Sequence, residues 1–551
     1  MQGGARRAFR SLAGNRALVR VLAAYVMFGL TEAAVWIAML VYAYGRGGAT
    51  TAGLVAVAQL VPAAIVAPLA AGLADRRSPV LLLVGGYLAQ TVGMAGTALA
   101  IWAHAPLAAY GAAVVAATAV VATRPAQSAL IPSVATTADQ LTAANVVVGW
   151  LDAAGLAAAG LLTGVLISLA GVGSVFAVCA GLGLVSVLLT AGLTGPALRG
   201  PAPAAEPDPD AVTAEVGAGL RLAVSQPRLR LMLALLTADA VVVGALDLLF
   251  VILAIAVLKR PPGWTGYLNF GFGVGAVLAA TASAVLVGRR LSRPIMAAAL
   301  TFSAALAVVA FGPGTAGTVA LLAVAGASHA LLNVAVRTLL QRSVPPQLIG
   351  RIFGVLEGLV MAGLAVGALL VPALAHLGGS RLAVLGVAAV LPLAAVAGGR
   401  AVFRLDSGTA VPVVEIALLR SLPLFAELPA PALEGLAAAL EPRPLAAGEV
   451  LIRQGDPGDA YYAIAAGELD AVQDGRPLGR FGRGEGVGEI ALLHAVPRTA
   501  TVRAATAATV YRLDRDHFLT AVLGHAPTRH QATQIAGTRL ATRAAPVRDQ
   551  P

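Results

Sequence analysis

Long apolar runs follow one another from about residue 17 to residue 403, and short alternating runs replace them after Pro412. A helix needs about 20 mostly apolar residues to cross the hydrocarbon core of a bilayer. By that length the pattern predicts twelve membrane-spanning helices, near 17–44, 50–73, 79–103, 107–131, 142–170, 173–195, 231–258, 264–287, 294–312, 316–340, 352–376 and 381–403.

The two sets of six helices repeat at one fixed spacing. Arg76 and Arg289 are 213 positions apart (76 to 289), and Arg124 and Arg337 keep the same spacing. A single coincidence would carry little weight, but one spacing held in several loops and helix ends indicates a repeat. Two six-helix halves in parallel repeat are typical of one large class of transporter folds. The same spacing also relates Gly53 to Gly266 and Pro132 to Pro345.

After Pro412 the short runs are bounded by glycine, as in "EVLIRQGD" and "TATVRAAT". Short strands with regular turn signals are typical of an antiparallel barrel or jelly roll. Two helical stretches are expected after the strands, near Arg515–Leu523 and Thr528–Thr542. The predicted fold class is therefore an α-helical membrane protein, with twelve transmembrane helices in two six-helix repeats, followed by a soluble β jelly-roll domain with flanking helices. The predicted boundaries are a tail (1–16), a first half (17–195), a linker (196–230), a second half (231–404), a connector (405–417), the β domain (418–543) and a tail (544–551).

Charge placement predicts the topology. Charged residues make up 12% of the chain, against roughly 25% in an ordinary soluble domain. The net charge is +11, and its arginines sit in short loops between apolar runs, which indicates membrane topology rather than nucleic acid binding. With the N-terminus inside, twenty arginines fall on inside segments and four cations outside, so both the N-terminus and the C-terminal domain are expected in the cytoplasm, at the plasma (inner) membrane. The outside cations are Arg46, Lys259, Arg260 and Arg381.

The chain has one cysteine, Cys179, in an apolar run. It offers neither a disulfide framework nor a metal–thiolate cluster, and we expect no metal. It also shows no phosphate-binding loop of the ATPase type and no nucleophile constellation, so we do not expect an enzyme.

Local motifs carry a family resemblance across roughly Arg16 to Arg404. The stretch "GLADRRS" resembles the loop between the second and third helices of major facilitator transporters, with Asp75 and Arg76 matching and the later glycine absent. The stretch "RTLLQRSVPPQLIGRIFGVLEG" resembles the bacterial exporter branch that includes siderophore exporters. The resemblance implies a secondary active transporter. We expect a proton-coupled exporter of small amphipathic molecules, with membrane lipid and a small-molecule substrate as partners.

Of the five acids within the predicted spans, Glu357 is expected near the cytoplasmic surface at the start of the eleventh. The other four are Glu32 in the first, Asp152 in the fifth, and Asp239 and Asp247 in the seventh. A charge at the bilayer centre costs roughly 2.5–3.5 kcal/mol on insertion scales, so such a residue needs a reason. A carboxyl group in a low-dielectric cavity is suited to carrying a proton. These acids are therefore candidates for proton coupling or substrate recognition. The alternative is that they only form hydrogen bonds with neighbouring helices.

Charged residues at the predicted helix ends are candidates for gating. A carboxylate there can pair with an arginine or a helix N-terminus when the inner gate is shut. The alternative for the arginines is a plain topology signal. His329 and Asn333, at i and i+4 in the tenth span, either line the pathway or bond neighbouring helices. The gating candidates are Asp75, Arg76, Arg124 and Arg337.

The stretch "GEIALLHAVPRTATV", which begins at Gly488, resembles the phosphate-binding cassette of cyclic nucleotide-binding domains, a resemblance that extends over about Leu418 to Arg543. In that family a short helix starts at the glycine, and its free N–H groups meet a phosphate. The resemblance implies that Glu489 accepts the ribose 2′-hydroxyl and that Arg498 forks onto the cyclic phosphate. One departure is Val487, where an aromatic residue is usual. Backbone near Gly488, Ile490, Thr499 and Ala500 completes the implied cradle.

The resemblance implies cyclic AMP or cyclic GMP as a regulatory ligand. Cyclic AMP is favoured. The hydroxyl of Thr499 weakly favours guanine instead, so the identity of the base is left as an alternative. A domain kept only for its fold is the alternative for this region. For the whole chain the alternative is a membrane-tethered nucleotide receptor whose helices sense or scaffold rather than transport. The oligomeric state is not predicted.

Overall fold

The computed structural model describes most of the 551 residues. The described positions are 12–74, 78–135, 138–193, 226–282, 291–343, 346–408, 413–426, 428, 430–523, 528, 531–532 and 534–535. Among the predicted segments, the linker before residue 226, the second C-terminal helix after 528 and the gating candidates Asp75 and Arg76 lie wholly or mostly outside the described residues.

Ten long helices make up the N-terminal region of the described chain. A five-residue π-helix, Leu253–Val257, continues the sixth. Within the described residues, eight helical stretches are long and apolar enough to cross a membrane. The helices are α1 (Arg16–Ala74), α2 (Pro79–Trp102), α3 (Pro106–Val134), α4 (Ala138–Ala170), α5 (Val172–Ala191), α6 (Pro227–Ile252), α7 (Trp264–Ala282), α8 (Ser292–Val309), α9 (Gly314–Ser343) and α10 (Pro346–Gly408).

Two of the ten helices are each broken by a glycine pair. Gly48 (φ 65°, ψ −158°) breaks α1, and Gly379 (φ 73°, ψ −173°) breaks α10 in the same conformation. A positive φ costs glycine no steric penalty, so each pair turns one apolar run into two spans. With these breaks the ten helices become twelve helical segments. This agrees with the predicted twelve-helix plan, including its predicted breaks near residues 45–49 and 377–380.

Small residues let the two halves approach closely. Helix α4 packs on α7, and α1 packs on α10. A β-carbon on Gly160 would lie 2.7 Å from the backbone nitrogen of Phe270, and one on Gly273 would lie 2.8 Å from the α-carbon of Ala157. Packing between membrane helices depends on such close van der Waals contact, because lipid provides no hydrophobic drive to bring helices together.

The C-terminal region is a two-sheet β domain with helices on one side. One sheet has the strand order β1-β8-β3-β6 and the other β2-β7-β4-β5, and every described pair is antiparallel. The predicted jelly-roll type of fold is confirmed. The elements are α11 (Val413–Ser421), α12 (Ala430–Ala438), β1 (Glu441–Leu445), β2 (Val450–Ile452), β3 (Ala460–Ala466), β4 (Leu469–Gln473), β5 (Arg476–Phe481), β6 (Gly486–Val487), α13 (Glu489–His494), β7 (Thr501–Ala504), β8 (Ala508–Asp514) and α14 (Arg515–Leu523).

This domain has two apolar cores of its own. Between the sheets lie Ile464, Leu469 and Val510, each fully buried. Against the outer face of β3, the helices pack around Phe425, Tyr461 and Phe518, with the rings of Tyr461 and Phe518 stacked at 5.0 Å. A self-contained core is what an independently folding domain requires.

Candidate functional site

A tight turn positions the start of the cassette beside strand β3. Strand β6 pairs with β3, with Val487 opposite Tyr462. Gly488 then takes φ 98° and caps helix α13. A β-carbon there would meet Arg498 Nη1 at 2.6 Å and the carbonyl oxygen of Ala460 at 3.0 Å. Both the left-handed backbone and the close approach therefore call for glycine at this position.

The cassette borders a cavity of about 410 Å³ in the β domain. Two of its wall side chains are ionisable yet almost fully buried: Glu489 is 3% exposed and Arg498 is 5% exposed. A charge is buried at this level only when it is paired or hydrogen-bonded, or when it serves a ligand. All six residues predicted from the cassette line this one cavity: Gly488, Glu489, Ile490, Arg498, Thr499 and Ala500.

The guanidinium of Arg498 is held from the side of β3. Nη1 donates to the carbonyl of Gly488 at 3.1 Å, and Nη2 donates to the carbonyl of Ala460 at 2.7 Å and to Asp459 Oδ1 at 3.0 Å. The ring of Tyr462 lies 6.0 Å from the guanidinium carbon. These contacts fix the plane and direction of the group before any ligand arrives, which reduces the ordering cost of binding.

Asp459 is the acid that fixes Arg498. Partial burial raises the pKa of its carboxyl, but the hydrogen bonds from Arg498 and Arg512 outweigh that effect, and the pKa is lowered from its usual value. Arg512 Nη2 lies 3.4 Å from Asp459 Oδ2. Asp459 was missed in the sequence analysis, because it precedes β3 and lies 39 positions from Arg498, so no local motif joins the two.

The rest of the cavity wall is mostly apolar and comes from β2, β4, β5, β6, β7 and α13. Apart from Val487, which the sequence analysis singled out, these residues were also missed, since only the sheet topology brings β2, β4, β5 and β7 to one wall. Their shared character suits a flat, weakly polar group rather than a second charge. The additional wall residues are Ile452, Ala471, Pro477, Leu478, Gly479, Arg480, Phe481, Val487, Ala491 and Val502.

The membrane-span acids have different surroundings. Glu32 on α1 forms an ion pair with Arg124 on α3, within the first half. Asp247 on α6 accepts a hydrogen bond from Trp36 Nε1 at 2.9 Å, which joins the second half to the first. The backbone of Asp152 lies on α4, but its side chain is outside the described part of the chain.

Asp239 forms a polar cluster with α9. Its Oδ1 lies 3.1 Å from His329 Nδ1, and its Oδ2 accepts from Asn333 Nδ2 at 3.4 Å. Arg337 Nε in turn donates to Asn333 Oδ1 at 2.8 Å. The predicted shared face of His329 and Asn333 is therefore present, and both residues bond a neighbouring helix.

An acid on the first helix of each half is thus linked to the arginine on its fourth helix. In the first half Glu32 reaches Arg124 directly. In the second half Asn333 lies between Asp239 and Arg337. Arg124 and Arg337 are the pair related by the repeat spacing, so the two halves place equivalent arginines against different acid partners.

Apolar helices long enough to span a membrane, followed by a β domain with a buried acid and arginine on one cavity, define a multi-pass membrane protein with a nucleotide-type pocket. The Major Facilitator Superfamily model matches residues 21–360, and the chain belongs to that family. The cyclic nucleotide-binding domain model matches residues 442–525. The predicted two-part architecture is confirmed.

Several individual relatives match a short part of the chain. A regulatory subunit of cAMP-dependent protein kinase from Emericella nidulans is 41% identical over 104 residues, which is 18% of this chain and 25% of that protein. An uncharacterized protein of Mycobacterium tuberculosis is 41% identical over 93 residues, 17% of this chain and 18% of that one. The chain therefore spans a quarter or less of the length of these relatives. A solved regulatory domain of Toxoplasma gondii protein kinase A with cyclic AMP is 32% identical over 20% of this chain and 45% of that one, with a TM-score of 0.20.

Proposed function

We propose that the protein is a proton-coupled exporter of small amphipathic molecules whose transport is regulated by cyclic AMP binding to the C-terminal domain. The observation that carries the regulatory part is the meeting of all six cassette residues on one cavity with Glu489 and Arg498 buried in its wall. The transport part rests on membership of the transporter family and on the acids within the helices.

In this proposal three parts of the cavity wall contact the phosphate, the ribose and the base of the nucleotide. Arg498 forks onto the cyclic phosphate, and the N–H groups at the start of α13 add neutral donors. Glu489 accepts the ribose 2′-hydroxyl. The apolar strip around Leu478, Phe481 and Val502 covers the base. Cyclic AMP is favoured over cyclic GMP because the relatives at 41% identity include a regulatory subunit of a cAMP-dependent kinase.

The phosphate would reach an arginine that is already engaged by Asp459. A ligand anion and Asp459 then share one guanidinium, which offers five N–H donors in a fixed fork. Nη2 is used by Asp459 and Ala460, and Nη1 by Gly488. A β-carbon at position 488 would lie 2.6 Å from Nη1 of Arg498. Because glycine has no β-carbon, the space beside Nη1 stays open for a phosphate oxygen.

For transport, Glu32, Asp239 and Asp247 are the proton-coupling or substrate-recognition groups, with Asp152 as a further candidate. Trp36 and Asp247 join the two halves, so the state of this carboxyl is coupled to whether the halves meet there. Arg124 and Arg337 act in gating through their acid networks, and Asp75 and Arg76 act at the inner gate. Both the N-terminus and the nucleotide domain lie in the cytoplasm at the inner membrane, which the arginine distribution supports.

Flux in proteoliposomes tests both parts of the proposal. Purified full-length protein would be assayed with fluorescent amphipathic dyes, with and without a pH gradient and with cyclic AMP on the domain side. We expect dye movement driven by the gradient and changed by the nucleotide. Intact cyclic AMP binding with no dye or proton movement in any condition would instead favour the membrane-tethered receptor.

A further inference from the structure

A groove of about 560 Å³ lies between α7 and α9, away from the acid clusters of the helical region. Its polar lining is confined to one end, at Arg260 and Thr315. Along its length the walls are apolar, with Val274 on α7 and Ala320 on α9. The site is therefore one polar mouth at the end of a long apolar slot.

Glycines determine where the slot closes. A β-carbon on Gly271 would lie 3.0 Å from Val319 Cγ1, and one on Gly275 would overlap the carbonyl oxygen of Ala323. The helices therefore touch most closely at Gly275 and leave a gap on the side of the mouth. Helix α9 is long and apolar enough to cross a membrane, and its groove residues Ala316 and Ala320 are exposed, as residues that face the hydrocarbon of a bilayer would be.

Arg260 is held in place at the mouth before anything binds. Its backbone N–H donates to the carbonyl of Ala254 at 2.9 Å, immediately after Lys259 takes φ 53° at the end of the π-helix. The guanidinium carbon lies 5.3 Å from the ring centre of Trp264, while Nε and Nη2 donate to Thr315 Oγ1 at 3.4 and 3.3 Å.

The guanidinium has one nitrogen left for a ligand. Among the described residues no acceptor pairs with Nη1 of Arg260, and the residue is exposed. A positioned guanidinium is well matched to phosphate oxygens. Tryptophan beside it is typical of the level of the lipid headgroups. The mouth therefore offers an anion site at the depth where phospholipids carry their phosphate.

We propose that this groove binds one glycerophospholipid, with its phosphodiester on Arg260 and one acyl chain along Val274, Val319 and Ala320. The charge of the mouth complements the phosphate, and the apolar slot complements the chain. A free phosphate would leave the slot uncovered, so the lipid is the occupant that satisfies both parts.

The first test compares two arginines that each stack on an aromatic ring, of which only Arg260 lines the groove. Arg381 also stacks on an aromatic ring, 4.6 Å from the centre of Phe311, but lines no part of this groove. Delipidated full-length protein in detergent would be titrated with dioleoyl phosphatidylglycerol and followed by native mass spectrometry and by lipid-dependent change in Tm. Arg260→Gln should weaken retention of one lipid about tenfold, as expected for loss of a charge-assisted contact, while Arg381→Gln leaves it unchanged. Equal retention in both variants overturns the proposal.

The second test measures the contributions of the phosphate and of the acyl chains of the lipid separately. Dioleoylglycerol, which lacks the phosphate, and glycerol phosphate, which lacks the chains, should each raise Tm less than the complete lipid. Ala320→Phe fills the slot and leaves Arg260 in place, and it should reduce lipid retention as much as Arg260→Gln does. Unchanged Tm of the lipid-free variants excludes simple unfolding. Full lipid retention by Ala320→Phe would contradict a lipid in this groove. So would a dimer of the wild-type protein that Arg260→Gln converts to monomer, because the groove would then bind a second copy of the chain.

Discussion

Gly53 and Gly266, which the repeat spacing relates, make equivalent close contacts between the two halves. A β-carbon on Gly53, in α1, would lie 2.7 Å from the carbonyl oxygen of Ala368 in α10. One on Gly266, in α7, would overlap the backbone of Gly160 and Gly164 in α4. Each glycine thus lets a helix of one half touch a helix of the other, and the repeat found in the sequence coincides with the two seams between the halves.

Substituting these glycines should therefore destabilise the helical region. Gly266→Ala forces a β-carbon onto backbone atoms that have no side-chain freedom, and overpacking of this kind typically costs about 1–3 kcal/mol. The matched control is Gly111→Ala, because the position lies within α3 and has no neighbouring atom within 4 Å of a β-carbon. Thermal unfolding in detergent should show a lower Tm for the first variant only. An equal change in both would mean that the seams are not tightly packed.

Arg498→Ala should reduce cyclic AMP binding at least tenfold, since a hydrogen bond to a charged group contributes roughly 1.5–3 kcal/mol. Arg498→Lys should recover only part of this, because an ammonium cannot make the planar fork. Arg503→Ala, on an exposed position of β7, serves as the control. Calorimetry on the fragment 412–551, which contains both cores of the β domain, measures the three affinities. Wild-type affinity in Arg498→Ala would place the nucleotide elsewhere.

Asp459 should make the stability of the β domain depend on pH in the acid range. Its pKa is lowered in the folded state from the usual value of 3.8, so its contribution is present above that value and is lost as pH falls through the lower folded-state pKa. Denaturant unfolding at a series of pH values should show this loss below about pH 4. In Asp459→Asn the loss over the same range should be smaller, and identical pH profiles would contradict the pairing with Arg498.

The sequence predicted the helical region and the β domain, and it found six residues that line one cavity, because each of these depends on local signals. Apolar length defines a span, and the acid and arginine of the cassette lie nine positions apart on one turn and one short helix. The same reasoning missed Asp459, Leu478 and Phe481, since strands distant in sequence bring them to the cavity. It placed Trp36 in a span but could not pair it with Asp247, because that contact depends on how the two halves meet.

Glu32→Gln should reduce proton-driven dye transport more than it reduces the amount of protein in the membrane. The substitution removes the ion pair with Arg124 and the group that can exchange a proton, while keeping the side-chain shape. Asp516→Asn, at an exposed acid of α14 outside the helical region, is the control for loss of one negative charge. Dye flux across a pH gradient, normalised to protein level, is the measurement. Undiminished flux in Glu32→Gln would give Glu32 a structural role only.

Cyclic AMP and transported substrate should alter each other's binding by the same factor. If the nucleotide shifts the transporter between conformations, it does so only through its different affinity for each. Couplings of this kind are typically about 1–3 kcal/mol, so flux should change by roughly 5- to 150-fold rather than switch fully on or off. Reciprocity then requires that a saturating transported dye change the affinity of the full-length protein for cyclic AMP by the same factor.

Arg498→Ala should abolish the nucleotide effect on flux while leaving basal flux intact, because the cavity it lines belongs to the β domain alone. Normal nucleotide binding with no change in flux, and no change in nucleotide affinity on adding the dye, would show that the domain does not regulate transport.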